Sequence, residues 1–167
     1  MNDVEMFLAH AIALEAEAAE RYEELADAME VHNNPDVAEM FRKQAHFSRL
    51  HWADVKETAK GHDLPKLKPW EYQWQSTEGP ESAAIERTHY LMTPYHCIHL
   101  ALQNERRGHQ YYADIAYKTG NPEVRKLAMQ FAEEEAQHVI MLEKWATNVA
   151  EPEPDWDLDL DPPVVSD

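Results

Sequence analysis

Acids normally occupy the wet face of a helix, so an acid set into an apolar stripe points to chemistry. Three stand out in this chain. Glu15 lies seven residues after Leu8 and seven before Tyr22, about 20° off each on a helical wheel. Glu105 holds the same place between Ile98 and Tyr112, and Glu135 lies among Phe131, His138 and Leu142. Three carboxylates aimed at one core would cost several kcal/mol each if nothing cationic met them. Of the ten histidines, His10, His89, His96 and His99 fall away from these stripes. His46 is nearly opposite His51, while His32 and His62 fall in turns. The remaining three are His138, His51 on the line of Gln44, Ser48 and Val55, and His109, four residues after Glu105. Glu135-Ala136-Gln137-His138 places an oxygen and a nitrogen donor on one face, one turn apart. Such pairs inside a helix bundle suit iron or manganese, and also zinc.

The elements that must position these groups are helical. Alternating strand patterns are absent, and three of the four glycines, Gly61, Gly79 and Gly120, stand where helices stop or loops turn. A first helix is predicted over residues 3–31, with an apolar stripe of Val4, Leu8, Ile12, Ala19, Tyr22, Ala26 and Met29 at the helical period. Asn34, Pro35 and Asp36 supply a cap, a proline at the first helical position and an acid in the first turn, so a second helix runs to about Lys60. Thr93-Pro94 opens a third, ending at Gly120, and Asn121-Pro122-Glu123 a fourth, reaching about Val149. Asn-Pro-acid-Val recurs 87 residues on, as does Ala45 in Ala132, which describes two helix hairpins. Between them lies a proline-rich crossover, expected to pack Trp70, Tyr72 and Trp74 along the flank or in an oligomer face, with a short helix over residues 81–91. The fold class is therefore all-α, a four-helix bundle with a long crossover between helices two and three.

Composition narrows the partners. Thirty-two acids against 15 basic residues give a formal charge of −17, which repels nucleic-acid backbones and anionic membrane surfaces. Seven of those acids lie in the proline-rich stretch 151–167, which has no base and reads as a tail, disordered or draped, beside a domain of residues 1–150. No apolar run approaches the roughly 20 residues needed to span a bilayer, and the first ten residues are acidic where a signal peptide is basic. The expectation is a soluble, cytoplasmic protein. A lone cysteine, Cys97, excludes an intramolecular disulfide and a cysteine-rich iron or zinc module; it reads as a buried bystander.

Glu15 to Tyr22 in LEAEAAERYEELAD, Glu105 to Tyr112 in LALQNERRGHQYYADIA, Glu135 with His138 in FAEEEAQHVIMLE, and His51 in FRKQAHFSRLHW are together specific. Over residues 5–148 the chain resembles the rubrerythrin-type branch of the ferritin-like proteins. That resemblance implies one Glu each from helices one and three, a Glu-x-x-His from helices two and four, and two irons that reduce peroxide or take part in iron oxidation and storage. It implies Glu15 with His51 on one metal, Glu105 with His138 on the other and Glu135 bridging. Tyr22 and Tyr112 read first as core aromatics and second as hydrogen-bond partners of a carboxylate in that chemistry.

This chain departs from the family pattern in two ways. Ser48-Arg49-Leu50-His51 is a Glu-x-x-His without its Glu. Four carboxylates balance two divalent ions, whereas Glu15, Glu105 and Glu135 supply three. A second metal then needs hydroxide, an exogenous anion or His109; otherwise the site holds one ion. His109 is either such an outer ligand or a hydrogen-bond partner of Glu105 or a tyrosine, and Ser48 is a small residue with or without a hydroxyl contact. There is also no second cysteine for a rubredoxin-like domain, so electrons for peroxide or dioxygen reduction come from a separate donor protein. The family habit implies a homodimer. The alternatives are a single-metal binding or storage protein without turnover, and a degenerate scaffold.

Overall fold

The computed structural model describes residues 1–72 and 90–160, which form four helices and, among the described residues, no strand. Helix α1 spans Val4–Val31, α2 Pro35–Thr58, α3 Pro94–Lys118 and α4 Pro122–Ala146. Each starts at a residue that suits its end. Asp3 accepts the Met6 N–H at 2.7 Å to open α1. Pro35, Pro94 and Pro122 stand in the first turn of the other three, where a missing N–H costs nothing. Helices α2, α3 and α4 stop two or three residues before their expected ends. The chain leaves α2 through Gly61 at φ +85°, a left-handed conformation that glycine adopts without strain.

One cap differs from expectation. Asn121 caps α4 by accepting the Glu123 and Val124 N–H groups at 2.9 and 3.3 Å. Its repeat partner Asn34 makes no such bond to α2. Its amide instead donates to the Tyr90 carbonyl at 3.2 Å and the Met92 carbonyl at 2.8 Å. Turned to donate to these tertiary carbonyls, the side chain leaves the first N–H groups of α2 uncapped, and the α1–α2 turn is thereby tied to the entry of α3.

The closest backbone approaches lie within the hairpins α1–α2 and α3–α4. Between the hairpins, larger side chains fill the space in three layers. One apolar cluster joins Tyr22, Leu25 and Met29 of α1 to Val37, Phe41 and Ala45 of α2 and Ile98, Ala101 and Leu102 of α3. The other joins Phe7, Leu8 and Leu14 of α1 to Val55 of α2, Tyr112 of α3 and Ala128 and Phe131 of α4. The buried polar residues Glu15, Gln44, Ser48, Glu105 and Glu135 belong to neither cluster. By their places along the helices they form the layer between the two. The repeat holds at side-chain level, since Val37, Ala45 and Val55 of α2 have Val124, Ala132 and Leu142 as their buried α4 counterparts.

Helix α1 buries a wider face than its predicted stripe, taking in Phe7, Ala11, Leu14 and Ala18 while leaving Ile12 half-buried, because it packs on α2 and also faces the second hairpin. Of the crossover aromatics, Tyr72 lies edge-on to the buried His10 at 5.2 Å. Trp70 does not pack on the flank; it is 77% exposed, with the Lys68 ammonium 5.3 Å from its ring. Proline-flanked Trp70 sits in a three-residue 3-10 turn, Pro69–Glu71, that turns the indole outward. Trp74 and the expected helix over residues 81–91 fall largely in 73–89, outside the described residues. The tail is draped as far as residue 160: Trp156 packs against His96 with tilted rings, centroids 4.0 Å apart, and the Tyr90 hydroxyl donates to Asp159. Among the described residues no helix is long and apolar enough to cross a membrane.

Candidate metal centre

Each helix brings one part of the polar layer. Glu15 arrives from α1 and Glu105 from α3, both pinned between apolar residues one and two turns away. Helix α2 supplies Ser48 and His51, and α4 supplies Glu135 and His138. The three carboxylates are 2%, 9% and 1% exposed in chain order, the degree of burial at which a charge requires a partner.

The partners are the two imidazoles. His51 Nδ1 lies 3.7 Å from Glu15 Oε1 and 3.6 Å from Glu135 Oε1. His138 Nδ1 lies 3.1 Å from Glu105 Oε2 and 4.0 Å from Glu135 Oε2. The two rings face each other with centroids 4.2 Å apart. Glu135 is thus the shared residue, with one oxygen turned toward each histidine. Donor atoms of His51, Glu135 and His138 all fall within 4.8 Å of one another, a spacing that one metal ion can span.

The ionisation states follow from burial and neighbours. Burial disfavours the charged form of His51, but Glu135 and Glu15 outweigh it and push its pKa up to about 11. Burial also raises Glu15, offset in part by His51. Glu105 is held below the usual carboxylate range because His138 and Glu135 more than offset its burial. Glu135 is pushed well above that range, first by burial and then by the Glu105 and Glu15 charges beside it. In the metal-free protein the cluster therefore favours the protonated forms of His51 and Glu135.

A metal ion fits this arrangement. Glu135 Oε2 is buried and, among the described residues, has no hydrogen-bond partner, a cost of about 1–3 kcal/mol that a cation would relieve. Two imidazoles and three carboxylates form the mixed donor set that iron and manganese take. Fourteen residues further along α1 and α3 than Leu8 and Ile98, Tyr22 and Tyr112 flank the layer from the two apolar clusters. Tyr22 accepts a hydrogen bond from the buried amide of Asn104 at 3.0 Å. Tyr112 is held edge-to-face by Phe7 and Phe131, at 6.1 and 5.4 Å. His109 lines a surface groove with Arg106, Gln110 and Ala136.

A family model for rubrerythrin matches residues 6–146. The chain belongs to the rubrerythrin family. An uncharacterized conserved protein from Magnetospirillum magnetotacticum MS-1, known from a crystal structure, is similar: 48% identical, with a TM-score of 0.68 over 90% of this chain and 98% of that one. No curated protein matches. Membership in the rubrerythrin family supports iron binding here, and this member carries Ser48 where α4 has Glu135. Ser48 and Glu135, like His51 and His138, are separated by the 87 residues of the repeat.

Sequence periodicity did not single out Asn104, a polar residue only 1% exposed. An amide in an apolar stripe is a weak signal, and the role of Asn104 depends on a tyrosine 82 residues away.

Proposed function

We propose that this chain is a rubrerythrin-type non-haem iron protein that reduces peroxide or dioxygen, taking electrons from a separate donor protein. The observation that carries this reading is the buried Glu135, with one oxygen turned toward each of two histidines. Glu15 and His51 would hold one ion and Glu105 and His138 the other, with Glu135 between them. Bound iron would supply the electrons and the Lewis-acidic contact for the oxidant. The rest of the work belongs to the chain. Its apolar clusters exclude bulk water from both sides of the layer, and Asn104 fixes the Tyr22 hydroxyl beside it. His51 must give up its proton and Glu135 must be ionised for both to serve as ligands. A homodimer and a cytoplasmic location complete the proposal.

Ser48 favours a second reading, a protein that holds one ion of iron, zinc or manganese without turnover. Metal analysis of the purified protein separates the two. Two irons per chain, with iron absorption lost or changed on adding peroxide, support the enzyme. One tightly held zinc, or ferrous iron that peroxide leaves unoxidised, rejects it.

A further inference from the structure

We propose that the cleft between α2, α3 and the end of α4 binds a planar aromatic electron carrier with an anionic arm, the chemistry of a flavin mononucleotide. The cleft holds about 610 Å³, within the range of pockets that enclose small organic molecules. Met40, Phe47, Ile98 and Trp145 give it apolar walls, and the two rings among them lie 6.1 Å apart at 48°. Such faces hold a further ring more tightly than an alkyl chain of equal area. Two polar groups select the rest of the ligand. Gln44 lines the cleft, is only 4% exposed, and has no hydrogen-bond partner among the described residues. An amide in that state favours a ligand with a donor and an acceptor along one edge, as a flavin ring has. Lys43 is the one charge among the described residues of the lining. Its exposed pairing with Glu39, one turn back at 3.5 Å, is weak, so its ammonium is available to a phosphate. A net charge of −17 repels that phosphate from most of the remaining surface.

The place of the cleft explains why its ligand carries electrons. Phe47 lies 6.5 Å, ring to ring, from His138, whose ring is 4.2 Å from that of His51. A reduced ring stacked on Trp145 therefore has one side chain, Phe47, between it and a candidate metal ligand, without entering the carboxylate layer. This redox step deepens the function proposed above and rests on it; the binding of the flavin does not. The reduced flavin gives up two electrons and the protons on its two reduced ring nitrogens. Two ferric ions become ferrous, the protons pass to water, and the oxidised flavin leaves. The separate donor protein then acts one step earlier, by reducing the flavin.

The test titrates the metal-free full-length protein with flavin mononucleotide and with riboflavin, following the flavin fluorescence that stacking on an indole quenches. The expected result is saturable quenching, with a dissociation constant of about 10 µM for the mononucleotide. Riboflavin, which lacks the phosphate, should bind about tenfold more weakly, and Lys43→Glu should abolish that difference. Gln44→Met keeps the volume and should weaken both flavins about fivefold, yet leave the thermal midpoint unchanged or higher because it deletes an amide without a partner. Anaerobic addition of the reduced mononucleotide to iron-loaded ferric protein should give two ferrous ions per flavin oxidised. Absence of quenching, or variants that bind both flavins like the natural chain, overturns the cleft assignment. Bound flavin that leaves the ferric ions unreduced overturns its role as electron carrier. Flavin binding by a protein that takes up no iron upholds the cleft assignment and overturns the metal reading.

Discussion

His51 Nδ1 lies 3.6 Å from Glu135 Oε1, joining the first hairpin to the second through the middle of the buried layer. The pair is two-sided in its energetics. Without metal it is an imidazolium among carboxyls, costly to desolvate; with metal both groups would become ligands. Substitutions here should therefore act differently on the metal-free and the loaded protein.

Glu135→Gln keeps the shape and removes an acid whose neutral form burial and the neighbouring carboxylates already favour. Its metal-free stability should stay within about 1 kcal/mol of the natural chain. Metal affinity should fall by about 100-fold or more, the top of the range for residues that merely support a ligand. Thermal unfolding and metal titration of the same samples provide the check. Equal loss in both would show that Glu135 serves the fold instead.

The pH dependence follows from His51. Its folded pKa of about 11 lies above its unfolded value of about 6.5. The stabilisation is thus complete below about pH 6.5 and lost as pH rises toward 11, with a slope of up to about 1.4 kcal/mol per pH unit. Glu135, also raised, contributes with the same sign at lower pH. Denaturant unfolding of metal-free protein across pH 7–10 should show the decline, and His51→Asn should flatten it.

The same protons should leave when metal enters. Calorimetric titration at pH 7 in two buffers of different ionisation enthalpy should report at least one proton released per chain as ligands at His51 and Glu135 are freed. An enthalpy independent of buffer would mean that the bound ion avoids both residues.

The two repeated asparagines should respond differently to aspartate. Asn121→Asp keeps the acceptor for the Glu123 and Val124 N–H groups and should change stability by only a few tenths of a kcal/mol. Asn34→Asp loses the donor to two carbonyls and sets a charge against them, at a cost of about 2 kcal/mol. Equal effects would show that the turn is not held through the Asn34 amide.

Cys97 is 0% exposed, and burial pushes its thiol pKa upward. It should not react with an aromatic disulfide reagent in the native protein and should react fully once unfolded. Rapid reaction under native conditions would indicate that the first apolar cluster opens.

What the sequence determined by itself was what a single helix can express. Glu15, Glu105 and Glu135 show as acids in apolar stripes because a 3.6-residue period is a local property. The proline caps and the 87-residue repeat show for the same reason, and with them the two hairpins. Only the tertiary structure decided which histidine nitrogen faces which carboxylate. That depends on the rotation of each helix about its axis, and the packing of both hairpins sets it. It also drew Asn34 from its own helix to Tyr90 and Met92, and paired Tyr22 with Asn104 across 82 residues. Trp70 could not be placed from sequence because an indole in a proline-rich turn packs only if another element comes to cover it. Local spacing orients side chains; the partners they meet are chosen by how the helices stack.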